Sequence, residues 1–201
     1  MPETRRVRKK HRTHSEIFRA AIELFAVRGF EAVTVEQICA SADVARGTFF
    51  LHFSSKAALL LEWNRELASE LAERLRDPRD SALLQYRTLA EQLGEQWRRR
   101  PDATRALLHS LLAPGADSQL SPENDLRALV ERVVQRGQER GEFRRNVSPR
   151  LAAAAFLATC AAAFSGAPPD GATDALRNEL LHALLHGLSE PKPRLKWSPA
   201  P

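Results

Sequence analysis

The chain has 201 residues, of which 43% are hydrophobic and 27% are charged, values typical of a soluble protein with a packed core. Its two cysteines, Cys39 and Cys160, stand far apart in the sequence, which argues against a disulfide framework or a cysteine metal site. The formal net charge of +5 comes from residues 1–14, where six basic residues oppose one glutamate.

No apolar stretch follows these N-terminal charges, so the sequence predicts no secretory signal. The most apolar segment, residues 151–164, is interrupted by Thr159 and is too short to span a bilayer. We therefore expect a cytoplasmic protein without a membrane partner.

The first predicted element is a disordered basic arm over residues 1–12. Its basic residues are Arg5, Arg6, Arg8, Lys9, Lys10 and Arg12. A basic arm on a neutral body favours a polyanion partner. A solvated tail without any partner would explain the same charges.

The first helix is predicted over residues 14–28, where apolar residues recur at helical spacing. Thr13 and Glu16 have the spacing of a capping box at its start. Gly29 stands where a left-handed residue commonly ends a helix.

Two very short helices are predicted next. Thr34 and Gln37 form a capping box that opens a helix ending near residue 41. After a tight turn, a second short helix covers residues 45–51, and a long helix begins at residue 56. Because a helix of two turns is not stable alone, both short helices must pack against the longer helices on either side.

The second short helix presents a surface suited to DNA. Its outer or flanking faces hold Arg46, Gly47, Thr48, Phe50, Leu51 and His52. Small, basic and hydroxyl residues at a helix N-terminus suit the major groove, and Gly47 allows a close backbone approach. A compact helical corner with an arginine on its surface is the alternative. The basic arm favours DNA, because such arms can reach the adjacent minor groove.

The remaining sequence predicts five further helices and a disordered tail. The helices are expected at about residues 80–100, 102–113, 122–140, 148–165 and 173–188, and the tail at 191–201. Because no strand pattern and no internal repeat is present, the predicted fold class is all-α with about nine helices. A small N-terminal three-helix helix-turn-helix unit precedes a larger helical domain.

Residues 13–61 resemble the N-terminal domain of the tetracycline-repressor (TetR) family. The matching motifs are Leu24-Phe25, Arg28-Gly29-Phe30, Thr34-Val35-Glu36-Gln37-Ile38, Val44-Ala45-Arg46-Gly47-Thr48-Phe49-Phe50 and His52-Phe53-Ser54-Ser55-Lys56. The resemblance is specific, because the spacing, the turn and the Phe-x-x-Lys ending coincide. It implies a DNA-binding domain at residues 13–58, with the helix-turn-helix at about 34–53, and a helical ligand-binding and dimerisation domain at 59–190.

The resemblance also implies a role for each matched residue. Thr34 would contact a phosphate from the N-terminus of the second helix, where free N–H groups favour an anion. The residues implied to face the major groove are Arg46, Gly47, Thr48 and Leu51. Those implied to lie along the DNA backbone are Phe50, His52 and Lys56.

Three positions depart from the family pattern. Phe50 stands where the family usually has tyrosine, which implies that one phosphate hydrogen bond is lost. Leu51 replaces a residue that is often aromatic or polar, and it can instead pack on a thymine methyl group. Asp43 replaces the usual turn glycine, and aspartate visits the left-handed conformation more readily than most residues do.

The larger domain is implied to hold a small-molecule cavity and a homodimer interface. Helices at about 149–165 and 173–188 would form the interface across a twofold axis, although the first of them could be an intramolecular core helix. The candidate ligand-binding residues are Trp63, Tyr86, Trp97, His109 and Phe143, each of which could instead belong to the core. His182 and His186 lie one turn apart without a carboxylate or cysteine partner in the pattern, so neither a metal site nor a cofactor is predicted.

The sequence therefore favours a repressor that binds a palindromic operator as a dimer and is released by a small-molecule effector. A helical protein of the same fold that acts through protein contacts or non-specific nucleoid association is the alternative. An enzyme is not predicted, because no Gly-rich phosphate loop, metal cluster or Ser/His/Asp set is recognisable.

Overall fold

The computed structural model describes residues 5–77, 79–112, 125–164 and 171–189. Its helices are α1 Arg5–Arg28, α2 Val35–Ser41, α3 Arg46–His52, α4 Lys56–Arg74, α5 Ala82–Arg99, α6 Pro101–Leu112, α7 Leu126–Glu139, α8 Pro149–Phe164 and α9 Gly171–Leu188. The described residues form no strand, and a single β-bridge among them pairs Phe143 with Ser189. The all-α prediction is confirmed. None of the described helices is both long and apolar enough to cross a membrane.

α1 begins at Arg5, well before the predicted start at residue 14. The basic segment expected to be a disordered arm is therefore helical over residues 5–12, because arginine and lysine have high helix propensity and no proline or glycine interrupts them. Glu16 Oε1 lies 2.9 Å from Arg12 Nε, one turn back in the same helix. The predicted start of the helix at Thr13 is wrong, since that residue lies within α1. Residues 1–4 and the predicted tail at 191–201 lie outside the described residues.

The first three helices enclose a small apolar core. Ile17 and Phe25 of α1, Ile38 of α2 and Phe49 of α3 are all fully buried. Phe53, which follows α3, lies with its ring centroid 5.9 Å from that of Phe49 and closes the core. α2 packs on both α1 and α3, and α1 packs on α4. The short helices are thus supported by the long ones, as their length requires.

α4 and α6 connect this small core to the rest of the molecule. α4 runs unbroken through residue 58, where the sequence placed a domain boundary, and its buried side chains belong to one continuous core with the later helices. α1 packs directly on α6. A conformational change in the larger domain can therefore reach the helix-turn-helix directly, through α4 or through the contact between α6 and α1.

α8 is covered on several sides, as its apolar sequence predicts. It contacts α5, α6, α7 and α9, and Ala153, Phe156 and Leu157 are fully buried in the core. Leu151, near its N-terminus, remains 65% exposed. Most of α8 therefore lies in the intramolecular core, and its first turn reaches the surface.

Candidate nucleic-acid interface

The capping box predicted at the start of α2 is present. Thr34 has an extended backbone, and its Oγ1 accepts a hydrogen bond of 3.3 Å from the Gln37 amide. The Gln37 side chain accepts a bond of 3.0 Å from the Thr34 amide in return. These two bonds satisfy N–H groups that would otherwise have no partner at the helix start. Thr34 itself remains exposed.

The turn between α2 and α3 depends on Asp43. Its φ of 51° lies in the left-handed region, and it is the single non-glycine residue with a positive φ among the described residues. The Val44 amide donates to the Cys39 carbonyl at 3.0 Å, which brings the chain back towards α2. The prediction that aspartate replaces glycine here in the left-handed conformation is confirmed.

α3 has one buried face and one open edge. Phe49 is fully buried, whereas Phe50 is 47% and Leu51 80% exposed. Apart from its chain neighbours and the backbone of α3 itself, no atom of the described residues lies within 4 Å of a β-carbon built on Gly47, and Thr48 is half-buried beside it. The outer edge of α3 is therefore free for a large ligand to approach, as the sequence pattern indicated.

Arg46, the first residue of α3, already has partners within the protein. Its Nη1 lies 2.8 Å from Oε1 of Glu36 in α2. Its guanidinium carbon lies 5.7 Å from the centroid of the Phe50 ring, within the range of a cation–π contact. The arginine side chain is thus restrained on the surface that α2 and α3 share.

The structure places Lys56 differently from what the resemblance implies. Its ammonium donates to the carbonyls of Phe30 at 2.7 Å and Val33 at 3.0 Å, with Glu31 at 3.5 Å, and lies 4.2 Å from the centroid of the Phe30 ring. An ammonium has three N–H donors, and all of them point at the loop between α1 and α2. Lys56 therefore fastens this loop to α4 and is not turned towards a DNA backbone, because the carbonyls attract its charge inwards.

His52, at the end of α3, also faces the protein. Its Nδ1 is buried without a hydrogen-bond partner among the described residues, and its ring lies 5.8 Å from that of His14 in α1. Burial lowers the pKa of His52, and the nearby charges of His14 and Lys10 lower it further. The side chain is therefore neutral at pH 7 and does not offer a positive charge to DNA.

The basic residues of α1 lie beside the turn of the helix-turn-helix. Arg8, Lys9 and Arg12 are exposed and line a groove of about 690 Å³ whose opposite wall is formed by residues 42–44. Lys10 is exposed as well, while the side chains of Arg5 and Arg6 are outside the described part. The helical segment thus places positive charge next to the α2–α3 turn.

Comparison with known proteins identifies the domain that contains this surface. Residues 17–63 match the family model described as bacterial regulatory proteins, tetR family. The N-terminal part of the chain is therefore a DNA-binding domain of the tetR-family type. The matched range runs from α1 through α2 and α3 to the first turns of α4, so it contains the whole helix-turn-helix.

Individual tetR-family relatives match over different lengths. The HTH-type transcriptional regulator TcmR of Streptomyces glaucescens is 46% identical over 56 residues, which is 28% of this chain and about a quarter (25%) of that protein's length. The HTH-type transcriptional repressor KstR2 of Rhodococcus jostii (strain RHA1) is 28% identical over 187 residues, covering 88% of this chain and 91% of that protein. The identity is thus higher over the short match than over the long one.

The fold of the whole chain is similar to that of a solved family member. The structure of Thermus thermophilus FadR, described as a TetR-family transcriptional repressor in complex with lauroyl-CoA, has a TM-score of 0.65 and 26% identity. The comparison covers 94% of this chain and 98% of that one. The larger helical domain is therefore similar in fold to that of this repressor.

The five aromatic and histidine residues predicted to line a tetR-family ligand cavity do not meet in one place. Tyr86 lines a cavity of about 580 Å³, and Trp63 lines a separate depression of about 230 Å³. Trp97 and Phe143 are buried in the core, and His109 is exposed. These cavities do not join the five residues in a single pocket, because the residues come from four separate segments of the chain and the spacing within one helix does not determine how different helices pack.

The cavity that contains Tyr86 lies between α5 and α9. Its described lining residues are Leu83, Tyr86, Arg87, Ala90, Glu91, His182, Leu185, His186 and Ser189. The Tyr86 hydroxyl is buried and has no hydrogen-bond partner among the described residues. Burial raises the pKa of Tyr86 far above its usual range, so the hydroxyl keeps its proton.

The remaining sequence candidates concern metal binding and the dimer interface. The rings of His182 and His186 lie 4.4 Å apart, and no group of three or more His, Cys, Asp or Glu is placed to hold a metal ion within the described residues. In α9, Leu185 and Leu188 are buried against the rest of the chain. Leu176, Leu180 and Leu181 also belong to the helix predicted to form the dimer interface, and their side chains are outside the described part.

Sequence reasoning missed two residues that the structure brings to the helix-turn-helix. Glu36 reaches Arg46, and His14 stacks on Phe53 at 4.5 Å between ring centroids. Both contacts join different helices, so no spacing rule within one helix reveals them. The sequence signal for the ion pair was an acidic residue in the first turn of α2 together with an arginine at the start of α3.

Proposed function

We propose that this protein is a transcriptional repressor that binds a palindromic operator as a homodimer in the cytoplasm, where the chromosome lies. The observation that carries the proposal is the open edge of α3, where Leu51 is 80% exposed and a β-carbon on Gly47 would meet only open space. A short helix that is held by a core and presents such residues outwards fits the major groove. The match of residues 17–63 to the tetR-family model and the regulators named among the relatives support the same function.

Each residue on the open edge has a chemical role in this proposal. Arg46 can donate two parallel hydrogen bonds to O6 and N7 of a guanine, and Leu51 can pack on a thymine methyl group. The Thr48 hydroxyl can bond a base edge or a phosphate. Thr34 already caps α2 with its hydroxyl oxygen, and its contact with phosphate stays a prediction.

The basic turns of α1 would follow the phosphate backbone. Because residues 5–12 are helical, they form a ridge beside the α2–α3 turn and do not form an extended arm that could thread a minor groove. Arg8, Lys9 and Arg12 are exposed on or beside this ridge. They supply affinity that does not depend on sequence.

The test is a fluorescence anisotropy titration of the full chain with a labelled duplex from the region upstream of its own gene and with a scrambled duplex. We expect a ratio of affinities of at least about a thousandfold at moderate salt. Equal affinity for both duplexes, with a steep salt dependence, would contradict the repressor and indicate non-specific association through the α1 ridge.

We infer that the effector binds in the cavity between α5 and α9. A volume of about 580 Å³ is within the usual range for small-molecule sites. Leu83, Ala90 and Leu185 offer an apolar wall. An effector with an apolar body would pack against it.

The mouth of this cavity has an excess of groups that can be cationic. Among the described lining residues, Arg87, His182 and His186 oppose one carboxylate, that of Glu91. An acidic group on the effector would therefore be favoured there. The fluorescent anion 1-anilinonaphthalene-8-sulfonate is a suitable probe, because it joins an apolar body to a sulfonate.

The probe separates this cavity from other apolar surfaces. We expect Arg87→Gln to weaken its binding, and Arg136→Gln, which removes an exposed arginine from α7, to leave it unchanged. Addition of the probe should also lower operator anisotropy. Equal binding of the probe by the wild type and both variants would place the effector elsewhere.

Effector binding must change the spacing of two recognition helices in the dimer. They have to enter successive major grooves about 34–36 Å apart, and an effector releases DNA if it favours a state with another spacing. The continuous α4 and the contact of α1 with α6 would transmit the change. Sedimentation equilibrium of the full chain tests the dimer, and a monomer at micromolar concentration would contradict it.

A further inference from the structure

An acidic residue of α2 lies against the arginine that opens α3. Glu36 Oε1 is 2.8 Å from Arg46 Nη1, and the pair joins the two short helices across their turn. On its other side, the Arg46 guanidinium lies over the Phe50 ring. The arginine is therefore held between a carboxylate and an aromatic face in the free protein.

This ion pair contributes little to the stability of the fold. The side chains of Arg46 and Glu36 are 67% and 58% exposed, so water screens their attraction, and exposed pairs contribute little to folding. The carboxylate nevertheless keeps its charge. A backbone hydrogen bond, the charge of Arg46 and a hydrogen bond from the Thr34 hydroxyl hold the pKa of Glu36 below its usual range.

Orientation matters for an arginine that reads a base. Guanine O6 and N7 accept two parallel hydrogen bonds only when the guanidinium plane is aligned with the base edge. An unrestrained arginine loses many rotamers on binding, which reduces affinity. Glu36 occupies one of the five N–H donors of Arg46 and Phe50 covers one face, so fewer orientations remain and the other donors are free for the base.

The same carboxylate acts against DNA of the wrong sequence. On such DNA an unpaired arginine would contact the nearest phosphate and release a counterion. Glu36 compensates the charge of Arg46 and is itself repelled by phosphates. Both effects weaken non-specific binding.

We propose that Glu36 is a positioning residue that sets base specificity through Arg46 and lowers affinity for non-operator DNA. The proposal rests on the DNA-binding function proposed above. It adds to the recognition surface a residue of α2 that need not touch a base. Glu36 thereby increases the ratio of operator to non-operator affinity in two ways, by raising the first affinity and by lowering the second.

The variant Glu36→Gln tests this, because it keeps the size of the side chain and removes its charge. Affinities of the full chain for the operator duplex and the scrambled duplex are measured by anisotropy at several salt concentrations. We expect the ratio of the two affinities to fall about tenfold and the affinity for the scrambled duplex to rise. The salt slope on the scrambled duplex should steepen by about 0.9, the value for one further phosphate contact.

Two controls separate positioning from a structural role. Glu23→Gln removes an exposed carboxylate from α1 and should leave the ratio as in the wild type. In an Arg46→Ala background, Glu36→Gln should lower the ratio much less than tenfold, because its partner is gone and only the direct repulsion between Glu36 and phosphates is left to lose. On operators changed one base pair at a time, the loss of preference in Glu36→Gln should be confined to the base pair that Arg46 reads.

The outcomes distinguish this proposal from the one on which it rests. A specific wild type whose ratio changes less than about twofold in Glu36→Gln overturns the role of Glu36 alone. A tenfold loss that persists in the Arg46→Ala background also overturns it, since Glu36 would then act without Arg46. A wild type that does not prefer its operator overturns the repressor and the positioning role together.

Discussion

The helix-turn-helix and the cavity between α5 and α9 differ in the range of the contacts that build them. In the former, Thr34 and Gln37 cap the helix they begin, and Asp43 makes the turn in which it lies. In the latter, Tyr86 and His182 come from helices distant in sequence. The recognition edge is thus an exposed surface on a locally determined frame, whereas the cavity depends on how the helices pack. Substitutions on the edge should change binding without changing stability, and substitutions at the packing contacts should do the reverse.

The largest expected effect is loss of the small core beneath the recognition edge. Phe49→Ala removes a fully buried ring that contacts Phe53, and we expect the free energy of unfolding in urea to fall by about 3–5 kcal/mol. Phe50→Ala is the matched control, because its neighbouring ring is 47% exposed. It should lose less than about 1 kcal/mol while operator affinity falls. If the two variants lost similar stability, the recognition edge would contribute to the core as much as the buried face does.

Two glycines allow the same change to be made in the helix-turn-helix and in the packed core of the larger domain. A β-carbon on Gly137 would lie 2.3 Å from the Phe143 ring and 2.9 Å from the Ala82 side chain. Gly137→Ala should therefore cost about 1–3 kcal/mol, the usual range for overpacking. Gly47→Ala should leave stability equal or raise it by up to about 1 kcal/mol, because alanine is the better helix former and open space surrounds the site.

The decisive measurement on the glycines is operator affinity. Gly47→Ala should weaken it if the DNA backbone approaches α3 closely there, whereas Gly137→Ala should keep normal affinity at a temperature where it is folded. Unchanged affinity in Gly47→Ala would mean that the glycine is not needed for close approach.

Two lysines of the DNA-binding domain should also differ, one affecting stability and the other DNA binding. Lys56→Met removes the contacts with the Phe30 and Val33 carbonyls and should lower the free energy of unfolding by about 1–2 kcal/mol. Lys9→Met, on the exposed ridge of α1, should leave stability unchanged and flatten the salt slope of DNA binding by about 0.9. If Lys56→Met instead flattened the salt slope of DNA binding without loss of stability, Lys56 would contact the DNA backbone, as the family resemblance implies.

The features that could be predicted from the sequence are those determined within a few residues. The cap at Thr34, the turn at Asp43 and the burial of Phe49 follow from spacing and backbone preference. The start of α1 was missed because its basic first turns have helix propensity but no apolar stripe, the pattern used to place the helix. The inward directions of Lys56 and His52 and the separation of Trp63 from Tyr86 result from contacts between helices, which periodicity does not encode.

The smallest expected effect is a pH dependence of stability that involves His52 at the end of α3. In the unfolded chain a histidine binds its proton near pH 6.5, but burial and the charges of His14 and Lys10 lower the pKa of His52 in the folded protein. As the pH falls from about 6.5 towards that lowered pKa, the unfolded state gains a proton that the folded state does not, so stability decreases in this window and levels off below it. Urea unfolding at pH 7.5 and pH 5.5 measures the difference, and His52→Gln should reduce it because glutamine does not titrate. His109→Gln, which removes an exposed histidine of α6, should keep it. A wild type and a His52→Gln variant with the same pH dependence would show that His52 accepts its proton in the folded state as readily as in the unfolded chain, and that its contact with α1 is not restrictive.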